Sequence, residues 1–251
     1  MANIKKAVIA AAGYGTRFLP ATKNQAKEML PIVDKPIIHY LVQEAVDSGI
    51  EEIIIVTKSG QSEIEDYFDS NPELETELEN AQKNERLKKV EKLPELADFT
   101  FVRQSNQLPY GNATPLISCS HLIDEGEAFV YMFGDDLTIS ETPVTKQLIN
   151  AYEEQNPTAV LATQEVPDSE VQRYGTIKYK ENADYKYEMK EGYEKLPPSE
   201  APSNMAQFGR FVFTHQVIDE VNSTSPGKDG ELWIMDVLNN LAQKGKKVIA
   251  P

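Results

Sequence analysis

Two rhythms of apolar and polar residues run along the chain, and together they predict alternating buried strands and amphipathic helices. Short apolar runs at residues 7–11 (AVIAA), 52–57 (EIIIVT), 99–103 and 128–133 (AFVYMF) read as buried strands. Between the first two, Lys35-Pro36 opens a stretch in which Ile37, Ile38, Leu41, Val42, Ala45 and Val46 recur at three- and four-residue steps. That is a helix with one apolar stripe; Pro36 suits its first turn and Gly49 its end. Strand, helix and strand in this order predict a right-handed parallel unit. Residues 61–92 are rich in Glu, Lys and Asn, with Leu74, Leu78, Leu87 and Val90 as a thin stripe, and read as a solvated helical excursion. Further strands are expected at 158–166, 176–180 and 208–214, and helices near Asn112, at 143–155 and at 231–244. Residues 181–204 read as a long loop. The second half looks more antiparallel than the first, so the pattern predicts an α/β protein with a single open, mixed, mostly parallel sheet flanked by helices.

Composition narrows the class. The chain has 251 residues, 40% of them hydrophobic and 26% charged, which suits one soluble domain spanning 1–251 with a substantial core. A formal charge of -15 argues against a nucleic-acid partner, which would select a basic face. Local cations can still hold a phosphate, because salt screens a distant acidic surface beyond ~10 Å. Cys119 is the only cysteine, so no internal disulfide can form, and core packing is a better reading for it than nucleophilic chemistry. No run reaches the ~20 apolar residues of a membrane span, and no signal-peptide core is visible. The expectation is a cytoplasmic protein with no membrane partner.

Candidate chemistry concentrates at residues 7–31. A buried strand there runs into Gly13 and Gly15, and in an open α/β sheet ligands bind at the carboxyl ends of the strands. The glycines let backbone N–H groups converge on phosphate oxygens, and Arg17 and Lys27 add fixed positive charge. A Walker A loop is excluded for want of Gly-Lys-Ser/Thr, and the dinucleotide fingerprint by Phe18 at its third glycine position. The strand at 128–133 ends in Gly134-Asp135-Asp136, which places a carboxylate at the same edge, although a turn or a helix cap would use Asp equally well. Asp236, in GELWIMD, is a second carboxylate that alone reads better as a cap. Two carboxylates with phosphate oxygens and water would suffice for magnesium if the fold brings them together. Glu194-Lys195 alone is a surface ion pair, Gly175 and Gly209 are strand-entry glycines or bulges, and His39 is a core or exposed helix residue.

The strings GYGTRFLPATK, KEMLPIVDKP, FVRQ, GDDL, EVPDSEVQRYGTIKY, EKLPPSEAPSN, FGRFVFT and GELWIMD occur in one order over nearly the whole chain. Together they resemble the bacterial sugar-phosphate nucleotidyltransferases, and among these the uridylyltransferases. The resemblance implies nucleotide binding by about 1–140 and sugar-phosphate binding by about 141–251. It implies that Ala12, Gly13 and Gly15 contact nucleotide through their backbone, that Arg17 and Lys27 hold the triphosphate, and that Gln104 reads the uracil edge. It further implies Asp135 and Asp236 as magnesium ligands, Glu194 on the sugar hydroxyls, Lys195 on the sugar phosphate, and Gly175 and Gly209 lining the sugar pocket. The implied reaction joins UTP and glucose 1-phosphate into UDP-glucose with release of pyrophosphate, in a protein that forms a homo-oligomer.

Several positions depart from that pattern. Pro109 stands where the family usually has a glycine whose N–H contacts the base, Ala11 and Leu196 replace prolines, and Lys58-Ser59 replaces Gly-Arg. Trp233 and Met235 stand beside Asp236 in place of Gln and Thr, and the chain stops at Pro251, before a tail that normally helps pair subunits. These changes leave two further readings: the same chemistry on another base or sugar phosphate, or a non-catalytic regulatory paralogue.

Overall fold

The computed structural model describes residues 4–251. The strands are β1 (Lys6–Ala10), β2 (Pro31–Ile32), β3 (Lys35–Pro36), β4 (Glu52–Thr57), β5 (Asp98–Arg103), β6 (Ala128–Phe133), β7 (Ala159–Glu165), β8 (Gly175–Tyr179), β9 (Met189–Glu194), β10 (Met205–Thr214) and β11 (Val248–Ile249). The helices are α1 (Ile37–Asp47), α2 (Ser62–Phe68), α3 (Pro72–Asn80), α4 (Asn84–Glu91), α5 (Thr114–Cys119), α6 (Val144–Gln155), α7 (His215–Ser223) and α8 (Ile234–Gln243). Strands β2 and β3 pair as a small hairpin, and the other nine form one sheet in the order β11-β7-β10-β6-β1-β4-β5. Strand β8 adds to β10, and β9 to β8. Strands β6, β1, β4 and β5 are mutually parallel, whereas β10 runs antiparallel to β6, β7 and β8.

Alternate residues of the central strands feed opposite faces, as the period of two requires. Val8, Tyr131, Phe211 and Phe213 enter one core layer with Leu116, Val217 and Leu238 from α5, α7 and α8. Ala7, Ile9, Val130, Met132 and Val212 enter the other with Leu41, Val42 and Leu148 from α1 and α6. Helices therefore cover both faces, which is why the central strands are mostly apolar. His39 is buried on α1, its Nδ1 3.1 Å from the Tyr67 hydroxyl. Cys119 is buried, and burial pushes its thiol up to about 12. Among the described residues no helix is long and apolar enough to cross a membrane.

Two expectations need correction. Residues 181–204 are not a continuous loop, because β9 pairs with β8 through Glu194 opposite Gly175 and Ile177 opposite Gly192. Its segment MKEGYE has too little apolar pattern to announce a strand, and β8 supplies the template. The C-terminal helix begins at Ile234, since residues 231–233 are held extended: the Leu232 N–H donates to the Tyr110 carbonyl at 2.8 Å, and the Ala113 N–H to the Leu232 carbonyl at 3.0 Å. Gly111 makes this crossing possible. Its φ is 147°, and a Cβ there would lie inside the Leu232 backbone.

Candidate active site at the carboxyl edge of the sheet

The register places the candidate segments side by side. Ala10, the last residue of β1, is level with Phe133 of β6, so the glycine loop and Gly134-Asp135 leave the sheet together. Arg210 lies opposite Met132 on antiparallel β10, which brings Gly209 and Gln207 to that same edge. Gln207 pairs with Gly175, and Gly175 with Glu194. Strands from both halves of the chain thus contribute to one row.

Beneath the glycine loop lies Lys27. A Cβ at Gly13 would meet its Cε and Nζ at 3.2 Å, and Gly15 has φ 62° with its carbonyl accepting from the Thr22 hydroxyl at 2.7 Å. Ala12 is buried at the loop's start, and Arg17 is exposed on the 3-10 turn Thr16–Phe18 that follows. The Lys27 ammonium donates to Asp135 Oδ2 at 2.6 Å and lies 3.8 Å from Glu28 Oε1. Burial opposes its charge, but Asp135 and Glu28 more than offset this and raise its pKa. Glu28 is fully buried, and burial pushes its carboxyl up to about 7 against the pull of Lys27.

Toward the other edge of the sheet, Gln104 follows β5, and its side-chain oxygen is buried without a hydrogen-bond partner. The Pro109 carbonyl accepts from the Thr114 hydroxyl at 2.7 Å. Tyr14 of the glycine loop and Tyr110 stand with ring centroids 5.6 Å apart, and Lys58 Nζ lies 3.9 Å from the Tyr14 ring centre.

At the other end of the row, a Cβ on Gly175 would sit 3.2 Å from Glu194 Oε1 and 3.3 Å from Met235 Cε. Burial raises the Glu194 pKa, with Lys195 opposing and Asp236 reinforcing it. Burial likewise raises Asp236, over which Gly227 fits closely: a Cβ there would lie 2.5 Å from Oδ2. Lys195 has φ 50°, its N–H donates to the Tyr174 carbonyl at 3.1 Å, and its ammonium lies 5.2 Å from the Trp233 ring centre. Among the described residues no group of three or more His, Cys, Asp or Glu side chains could hold a metal ion unaided.

Comparison with known sequences gives this edge a context. The model of the family described as Nucleotidyl transferase matches residues 6–250. The chain belongs to this family. The nucleotidyl transferase is 43% identical over 241 residues to the UTP--glucose-1-phosphate uridylyltransferase of Bacillus subtilis (strain 168), covering 96% of this chain and 81% of the relative. It is also similar to the structure of a UDP-glucose pyrophosphorylase complexed with UDP-glucose, with a TM-score of 0.85 at 38% identity, over 98% of this chain and 89% of the other. A UTP-bound UGPase from Acinetobacter baumannii superposes with a TM-score of 0.83 at 32% identity, over 98% of this chain and 85% of the other.

Sequence reasoning missed the residues that hold the row in place. In this nucleotidyl transferase Arg210 is fully buried and clamps Glu44 of α1, Nε to Oε1 at 3.1 Å and Nη2 to Oε2 at 2.9 Å. The same guanidinium donates to the Asp136 carbonyl at 2.6 Å and the Gly209 carbonyl at 2.9 Å. Asp136 Oδ2 in turn accepts from the Gly209 N–H at 2.7 Å. Although burial raises the Glu44 pKa, hydrogen bonds from Arg210 and Thr145 win and lower it. The available signals were a charge at Glu44 on the otherwise apolar stripe of α1 and Arg210 inside the run FGRFVF.

Proposed function

We propose that this nucleotidyl transferase transfers a uridylyl group from UTP to glucose 1-phosphate. A phosphate oxygen of glucose 1-phosphate bonds to the α-phosphorus of UTP, the bond to the β-phosphate oxygen breaks, and pyrophosphate leaves with UDP-glucose as the other product. No protein nucleophile is required; the work is alignment of two repelling anions and neutralisation of charge at the transferring phosphoryl group. The observation that carries the reading is the single row along the sheet edge, with a lysine under a glycine loop at one end and Gly175, Glu194, Lys195 and Asp236 at the other.

In this reading Ala12, Gly13 and Gly15 present backbone N–H groups to the nucleotide, while Arg17 and Lys27 neutralise the triphosphate. The orphan side-chain oxygen of Gln104 accepts from the uracil N–H. Glu194 accepts from sugar hydroxyls, Lys195 holds the sugar phosphate, and Gly175 and Gly209 keep that part of the pocket open. The donor set suits magnesium: two carboxylates, Asp135 and Asp236, with no closed protein cage among the described residues, leave positions for phosphate oxygens and water. When bound, magnesium would neutralise charge on the phosphate oxygens. The continuous sheet supports one catalytic domain, and sedimentation would test the proposed homo-oligomer.

The test is pyrophosphate release from UTP and glucose 1-phosphate with magnesium. Turnover should be abolished by Lys195→Ala, and folded wild-type protein with no release above buffer would overturn the reading. A second reading, another base or sugar phosphate, is favoured by Pro109, which has no N–H for the base, and by Trp233 beside Lys195. A substrate panel in which UTP with glucose 1-phosphate dominates would dismiss it.

A further inference from the structure

The Lys27 ammonium stands between two carboxylates of different character. Asp135 is partly exposed and 2.6 Å away, whereas Glu28 is fully buried and 3.8 Å away. Neither carboxylate oxygen of Glu28 has a hydrogen-bond partner. Gly134 explains how Glu28 comes to lie under the Asp135 loop, since a Cβ there would approach Glu28 Cγ to 2.9 Å and the Ala10 carbonyl to 2.7 Å. A buried carboxylate without a donor disfavours folding, so its presence beside Lys27, the lysine beneath the glycine loop, calls for a use outside folding. Lys27 Nζ, 3.8 Å from Glu28 Oε1, is the cation that acts on it most strongly, and Lys58 adds a weaker pull. The three donors of Lys27 on a flexible stem allow it to face one partner and close on another by small torsional changes.

We propose that Glu28 is a positioning residue that anchors the Lys27 ammonium from below while Lys27 exchanges Asp135 for the nucleotide triphosphate. This rests on the functional reading above, in which Lys27 faces the triphosphate and Asp135 is engaged elsewhere once nucleotide is bound. Lys27 then loses its 2.6 Å partner. Without a second carboxylate the ammonium would be free to swing into solvent; with Glu28 beneath, it stays under the loop and turns a donor upward. Burial disfavours the charged form of Glu28 and the pull of Lys27 favours it, so Glu28 ionises more readily the closer the ammonium comes.

The sign of one measurement separates this role from simple charge. A carboxylate near a triphosphate repels it, so electrostatics alone predicts that Glu28→Gln tightens UTP binding. An anchor predicts the opposite. Calorimetric titration of UTP with magnesium into the full chain should show Glu28→Gln weakening binding about tenfold, with no fall in melting temperature. In a Lys27→Ala background the same substitution should have no further effect, because Glu28 acts only through Lys27. Should the Gln variant fail to fold, Glu28→Asp, which retracts the carboxylate, replaces it in the same cycle with about threefold weakening expected. Unchanged or tighter binding, or an effect that persists without Lys27, overturns the inference alone. Wild-type protein that binds no UTP overturns the functional reading and this inference with it.

Discussion

Arg210 shows how a fully buried residue can decide the shape of a site. Its guanidinium ties Glu44, Asp136 and Gly209 together, so α1, the loop after β6 and β10, whose pairing with β7 shifts register between Gln207 and Phe211, share one buried charge pair. Removing one partner of such a pair leaves an uncompensated buried charge. Glu44→Ala should therefore lower stability by roughly 3–5 kcal/mol, whereas Glu44→Leu with Arg210→Met should recover most of it. Denaturant titrations of the three proteins measure both. Glu28 makes a pH prediction at the same scale. Its folded carboxyl sits at about 7, above its ordinary 4.5, so the folded state holds the proton more tightly. Stability from this group is present below pH 4.5 and is lost as pH rises toward 7. The stability difference between Glu28→Gln and wild type should grow in favour of the variant over that window, and thermal melts at several pH values read it. At the proposed base site, Pro109→Gly supplies an N–H donor and should lower the KM for UTP by about tenfold, in keeping with ~1–3 kcal/mol for an unpaired acceptor.

Elements carry the next layer of information, and here one crossing matters most. Residues 110–113 and 231–234 hydrogen-bond to each other, with Asn112 Oδ1 also accepting from the Ile234 N–H at 2.7 Å. This contact sets the start of α8 and hence the position of Asp236 in its first turn. Gly111→Ala places a methyl group inside the Leu232 backbone at a φ that suits only glycine. It should destabilise the fold and lower kcat/KM together, whereas Gly126→Ala, which meets nothing within 4 Å, should show only the mild strain of its positive φ. Activity and melting temperature measured on the same samples distinguish the two. The helix α8 is further tied to β9 by Asn239, which brackets the Gly192 N–H at 2.7 Å and its carbonyl at 2.9 Å. A strand that sequence pattern did not announce thus positions both Glu194 and Asp236.

The whole molecule decides whether two carboxylates distant in sequence serve one ion. Strands β6 and β10 are adjacent, so Asp135 and Gly209 share an edge, and the β8–β9 pair carries that edge on to Glu194 and Asp236. With no protein cage of three or more metal-binding side chains among the described residues, the proposed ion depends on substrate oxygens. Manganese binding followed by its paramagnetic signal should be weak in protein alone and strong once UTP is added. Asp135→Asn and Asp236→Asn should each remove that gain, and a variant that keeps it would exclude its residue from the site.

Sequence by itself determined the central strands, α1, the glycine loop and the types of charged group placed there. These follow from short-range causes: burial on both faces leaves apolar runs, a helix leaves its three- and four-residue stripe, and a close backbone approach leaves glycine. Lys27 after the glycine loop and Asp135 after a buried strand were legible as candidates from local pattern, whereas Gly175 read alone only as a strand-entry glycine and its place in a site came from the resemblance. Only the tertiary structure decided that β9 is a strand, that α8 begins at Ile234, and that Glu28, Glu44 and Arg210 are buried beneath the site. Those outcomes depend on partners that lie many residues away along the chain, and a side chain's burial or its ion-pair partner leaves no local mark until the sheet has brought the two together.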